Sequence, residues 1–86
     1  MQYISFGKFI RKKREKLGIS LNLFAIECEI DKATLSNFER GLSSICFNNF
    51  IKIAKGFNTS ASELLREFEQ NNTIDNSQWN ITNNLS

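Results

Sequence analysis

Apolar residues recur at helical spacing through most of the chain and mark out five segments separated by Gly, Ser, Asn and Asp. Phe6, Phe9, Ile10 and Leu17 mark the buried side of a first helix over about residues 5–17, which Gly18 ends while Ile19 plugs the core. Leu21, Phe24, Ala25 and Cys28 give a short second helix, 21–28, one apolar face, with Ser20 as its side-chain cap. After a turn of about three residues, in which Ile30 drops into the core, Asp31 is placed to cap a third helix, 32–40. Leu35 and Phe38 form the inward stripe of that helix, and Gly41 supplies the positive φ that a helix exit commonly needs. Leu42 and Ile45 are expected to be buried in the loop that follows. Phe47, Phe50, Ile51, Ala54 and Phe57 mark a fourth helix, 46–56, as the main core helix, with Asn58 suited to a left-handed exit. Ser60 or Ser62 can cap a fifth helix, 60–69, whose Leu64, Leu65 and Phe68 face inward or toward a partner.

From Asn71 onward Asn, Ser and Thr dominate and helix propensity falls. Ile74, Trp79, Ile81 and Leu85 interrupt this polar stretch, and Trp79 and Ile81 alternate with polar neighbours as in a short strand. Two readings stay open: a frayed tail, or a segment that packs through Trp79 and Ile81 on its own domain or a sister subunit. The pattern as a whole predicts an all-α fold, with one domain over residues 1–70 and a polar tail over 71–86. A chain of 86 residues buries only about 60–65% of its unfolded surface, so the core must be efficient. The eight Phe supply large buried areas for that purpose.

Composition removes several function classes. No apolar run approaches the roughly 18–20 residues of a membrane span, and no basic segment followed by an apolar stretch opens the chain, so a cytoplasmic protein is expected. There is no His, and Cys28 and Cys46 are the only cysteines, too few ligands for a structural zinc site. His-based catalytic arrangements, paired carboxylates and a Gly-rich phosphate loop are also missing, so neither enzymatic activity nor a cofactor is expected. The net charge of +2 hides an asymmetry. Residues 1–62 hold ten of the eleven Lys and Arg and five of the nine acids; residues 63–86 hold Arg66 alone against four acids. One end is thus suited to meet phosphates and the other to meet something else.

The basic part, residues 1–62, contains the second and third helices, and the third carries the functional signal. Lys32, Ala33, Thr34, Ser36, Asn37 and Arg40 are left on its outer face: two cations, one amide, two hydroxyls and one methyl, with no carboxylate. These groups read base edges and grip phosphates. Any amphipathic helix has a polar outer face; the arrangement decides, because a short helix, a tight turn and a second helix with such a face make a helix-turn-helix unit. Lys32, Ala33, Ser36 and Asn37 are the candidate base readers. Thr34, Arg40 and Ser43, with Lys8, Arg11 and Lys12 from the first helix, are the candidate phosphate contacts.

The chain resembles the phage repressor and Cro-like helix-turn-helix family, also called the Xre family. The resemblance is carried by Ser20, Phe24 and Ala25, by Ile30 after the turn, and by Leu35, Phe38 and Glu39-Arg40-Gly41. It extends upstream through FGKFIRKKREKLGIS (6–20) and downstream through FNNFIKIAKGFN (47–58) and SASELL (60–65). It implies a five-helix repressor-like domain and a DNA-binding transcriptional regulator that binds a palindromic operator as a homodimer, with helix 32–40 in the major groove. It also implies that Arg14 pairs with Glu39 inside the domain, and that the loop with Ser43 and Ser44 lies near the DNA backbone. Family members commonly carry Gln where this chain has Leu21, so the phosphate contact made there is not implied. They also commonly have Gly where this chain has Glu29, which implies either a reshaped turn or a left-handed non-Gly residue at a cost of roughly 1–2 kcal/mol. Short members of the family include antitoxins, and an antitoxin or adaptor with another protein as main partner is the alternative, its contacts made by Leu64, Leu65, Phe68, Trp79 and Ile81.

Overall fold

The structure, a computed structural model, describes residues 5–71. The five expected helices are present, and no strand occurs among the described residues: α1 (Phe6–Lys16), α2 (Leu21–Cys28), α3 (Lys32–Glu39), α4 (Phe47–Gly56) and α5 (Ala61–Asn71). Four of the five starts are set by a local side-chain cap, while α4 starts after Cys46 without one. Ser5 Oγ accepts from the Lys8 amide, Ser20 Oγ from Leu23, Asp31 Oδ2 from Thr34 and Ser60 Oγ from Glu63. At these four helix N-termini this satisfies an amide that has no intrahelical partner. Left-handed residues follow α1 at Gly18, α2 at Glu29, α3 at Gly41 and α4 at Asn58.

The helices close around Phe9, Ile10, Phe24, Ala25, Cys28, Ile30, Leu35, Phe38, Ile53, Ala54 and Leu64, all buried. A second layer is aromatic. The Phe6 ring meets Phe38 at 5.8 Å, Phe50 at 5.3 Å and Phe68 at 5.0 Å, each edge to face. These contacts gather α1, α3, α4 and α5 at one end of the domain. Beside Phe6, the α1 backbone passes so close to α3 that a Cβ on Gly7 would overlap the Phe38 carbonyl oxygen.

Three residues expected in the core are not there. Leu17 is 57% exposed: α1 stops one residue earlier, Leu17 serves as its C-cap, and Arg14 takes the buried position one turn before it. Leu42 is 67% exposed, because the Gly41 turn carries it outward while Ile45 packs against the core. Phe47 is 69% exposed; it lies in the first turn of α4, and Ile53 and Ala54 fill the core instead. On α5, Leu64 is fully buried, so it cannot form a partner surface; Leu65 is exposed and Phe68 packs against Phe6 and Phe9. Trp79 and Ile81, and the strand expected around them, lie outside the described residues.

Both thiols are free. Burial, reinforced by the charges of Glu27 and Glu39, pushes the Cys28 thiol up to about 11, whereas Cys46 is exposed at the start of α4. A disulfide-exchange reagent at neutral pH is expected to modify Cys46 quickly and Cys28 only on unfolding, since the thiolate is the reacting species. Rapid modification of both in the native protein, followed by absorbance, would contradict the packing of α2.

Candidate nucleic-acid interface

The turn between α2 and α3 orients the candidate reading helix. Glu29 takes the left-handed conformation itself, with φ 57° and ψ 44°, so the turn keeps its left-handed residue without Gly. Two contacts compensate. The Ile30 amide donates to the Ala25 carbonyl at 3.0 Å, and Lys52 Nζ on α4 donates to the Glu29 carbonyl at 3.3 Å. Ile30, 7% exposed, then anchors the turn in the core.

α3 presents Lys32, Ala33 and Thr34 to solvent, with Ser36 and Asn37 half-buried and Arg40 exposed just past its end. Arg40 Nη2 donates to Asn37 Oδ1 at 2.8 Å, which fixes the amide plane and uses one of the five Arg donors. The single carboxylate within α3, Glu39, is turned inward. Arg14 Nε donates to Glu39 Oε2 and Nη2 to Oε1, both at 2.9 Å, and Nη1 donates to the Ile19 carbonyl at 2.8 Å. The hydrogen bond to Glu39 outweighs desolvation and raises the Arg14 pKa above its ordinary value. The pair thus ties α1 to α3, and it removes the one negative group that α3 could have shown to DNA.

Lys8, Arg11 and Lys12 on α1 and Arg40 beyond α3 line one shallow depression together with Glu15 and Glu39. Arg11 Nε meets Glu15 Oε2 at 3.1 Å with both side chains about half exposed, a pairing weak enough to give way to a phosphate. Ser43 and Ser44 are exposed on a separate groove with Ser5, Leu42 and Ile45. The α1 cations, α3 and the serine loop are therefore distinct patches, with Arg40 as the link between the first two.

Sequence reasoning missed two cations that are already committed. Lys13, in the middle of the basic run, donates to both Glu67 oxygens at 2.9 and 3.0 Å and lies 5.2 Å above the Phe57 ring, clamping α1 to α5. Lys52 closes the α2–α3 turn as described. Neither partner is near in sequence, so no local signal marks them. Among the described residues, no group of three or more His, Cys, Asp or Glu is placed to hold a metal, and no helix is long and apolar enough to cross a membrane.

Comparison with known proteins agrees with this geometry. The helix-turn-helix family model matches residues 10–64. Control protein C.MunI of a Mycoplasma species is 31% identical over 68 residues, covering 78% of this chain and 92% of that protein. Control protein C.BamHI of Bacillus amyloliquefaciens is 31% identical over 61 residues, covering 70% and 75%. Among solved structures, the DNA-binding domain of the P22 C2 repressor superposes with a TM-score of 0.66 at 25% identity, covering 76% of this chain and 86% of that one. A chain of the SinR/SinI complex superposes with a TM-score of 0.67 at 24% identity, covering 94% and 78%, a likeness of fold. The capped α2–turn–α3 unit, the inward-turned Glu39 and these matches together establish that the chain belongs to the phage repressor and Cro-like helix-turn-helix family of DNA-binding transcriptional regulators.

Proposed function

We propose that two copies of the chain bind one palindromic operator, each placing α3 in a major groove, with half-sites about 34–36 Å apart. The observation that supports this best is the sorting of charge on α3: its carboxylate is sealed against Arg14, and Lys32, Ala33 and Thr34 remain exposed. Lys32 donates to guanine O6 and N7, Ala33 touches a thymine methyl, Ser36 bonds a base edge, and Asn37 pairs with adenine. The Arg40 contact leaves the Asn37 amide protons and an Oδ1 lone pair for that base. Thr34, Arg40 and Ser43, with Lys8, Arg11 and Lys12, hold phosphates on either side. The dimer surface falls on the exposed side of α5 at Leu65, because Leu64 is consumed by the core. Occupying an operator that overlaps a promoter would exclude polymerase.

Selection from a random duplex pool at about 150 mM salt, with sequencing of the bound fraction, tests the proposal. A palindrome is expected, and its half-site spacing reports the dimer. Asn37→Ala and Lys32→Ala are each expected to cost about 1–3 kcal/mol and to relax preference at one base position per half-site. Lys8→Ala or Lys12→Ala is expected to weaken all sequences alike and to reduce the salt slope by about 0.9 per lost phosphate contact. Salt-sensitive binding with no preferred site would remove the base-reading role and bring forward the adaptor alternative.

A further inference from the structure

Asn37 and Arg40 stand one turn apart on a backbone that the exit of α3 holds still. The Gly41 amide donates to the Phe38 carbonyl at 3.0 Å and the Leu42 amide to the Asn37 carbonyl at 2.9 Å, the paired bonds of a left-handed helix exit. Arg40 lies inside this turn and keeps right-handed backbone angles, φ −83° and ψ −1°. Asn37 is half-buried, which limits how its side chain can swing. Across this fixed backbone Arg40 Nη2 donates to Asn37 Oδ1 at 2.8 Å. A guanidinium has no acceptor, so the atom that faces it is the amide oxygen, and the amide nitrogen is turned to the other side.

The sense of that amide matters for reading a base. Adenine offers a donor at N6 beside an acceptor at N7, and Asn meets them with Oδ1 and Nδ2 in one order only. A half-turn about χ2 sets donor against donor and acceptor against acceptor. An unheld Asn amide spreads over both senses, because this torsion is broad and roughly two-fold. Arg40 also lines the basic depression with Lys8, Arg11 and Lys12, and four of its five donors remain for a phosphate.

We propose that Arg40 is a specificity-positioning residue: it locks the Asn37 amide in the sense that matches adenine and ties that amide to the DNA backbone. This role rests on base reading by Asn37 as proposed above. A residue that only grips phosphate weakens all sequences alike. Arg40 in addition changes which base is preferred at one position per half-site, without touching that base.

The probe is a random duplex pool, selected at one reduced salt concentration by the parent, Asn37→Ala, Arg40→Met and the double variant, and then sequenced. Asn37→Ala identifies the position that Asn37 reads, where preference should fall by about 5–150-fold. Arg40→Met keeps the stem of the side chain and removes every donor. It should lower preference at that same position by about 2–10-fold, the worth of one hydrogen bond. It should leave the other positions alone and reduce the salt slope by about 0.9. In the double variant, preference should be no lower than in Asn37→Ala. In the free protein, nitrogen NMR relaxation of the Asn37 side-chain amide should show a rigid group that becomes mobile in Arg40→Met. Arg40 is exposed, so Arg40→Met should melt with the parent. Unchanged preference at the Asn37 position in Arg40→Met, or an Asn37 amide already mobile in the parent, overturns the proposal and leaves base reading by Asn37 intact. A parent that selects no site, or an Asn37→Ala that moves no position, removes base reading and the proposal with it.

Discussion

Arg14→Ala is expected to cost the domain about 3–5 kcal/mol, because it strands the Glu39 carboxylate, 3% exposed, without its partner. The side chain supplies three hydrogen bonds, two to Glu39 and one to the Ile19 carbonyl. Against a total stability of about 5–15 kcal/mol, this loss lowers Tm by more than about 10 °C. Arg14→Lys is not a conservative rescue, since an ammonium cannot form the planar bidentate contact and also reach Ile19. Combining Arg14→Met with Glu39→Leu should recover much of the loss, because a buried pair has little advantage over apolar groups of similar size. Urea midpoints for the four proteins decide the matter. Unchanged midpoints with weakened DNA binding would show that Arg14 contacts phosphate and does not join α1 to α3.

Gly7→Ala is the second large effect, and it runs against helix propensity. In an exposed helix the change would add about 0.8–1 kcal/mol of stability. Here the new Cβ meets the Phe38 carbonyl oxygen and carbon, backbone atoms that cannot rotate away. The helices must separate, and overpacking of this kind costs about 1–3 kcal/mol or more. Moving α1 off α3 also opens the Phe6 cluster and shifts Lys8, Arg11 and Lys12 relative to the reading helix. The neighbouring Lys8→Ala is exposed and should fall within about 0.5 kcal/mol of the parent. The two variants differ by one position, so their melting curves compare helix contact with helix surface. A more stable Gly7→Ala would mean that α1 and α3 do not approach this closely.

The two expectations differ in how far the sequence reveals them. The Arg14–Glu39 pair is legible through resemblance, from the matching Glu39-Arg40-Gly41 at the end of α3 and the Arg one turn before Gly18. Gly7 carries no such mark; a Gly in the first turn of a helix passes as an ordinary tolerated residue until its neighbour is known. The same division runs through the candidate interface. The outward row Lys32, Ala33, Thr34 follows from helical periodicity and is exposed as that periodicity predicts. The bond from Arg40 to Asn37 and the placing of Glu15 and Glu39 beside the α1 cations depend on rotamers and on the angle between helices, which periodicity does not contain.

The sequence by itself determined the five helices, where they start and how they turn. Caps and exits act within about four residues, so Ser20, Asp31, Gly18, Gly41 and Asn58 carry that information locally. Only the tertiary structure decided which apolar residues are core and which cations are free. Leu17 and Phe47 satisfy the apolar spacing yet stand in solvent, as does Leu42 in its loop, because spacing gives a face but not the extent of what packs against it. Lys13 and Arg14 sit in one basic run with Arg11 and Lys12, yet their partners Glu67 and Glu39 lie 54 and 25 residues away. Burial and ion pairing are set by contacts between distant segments, and those contacts exist only once the helices have docked.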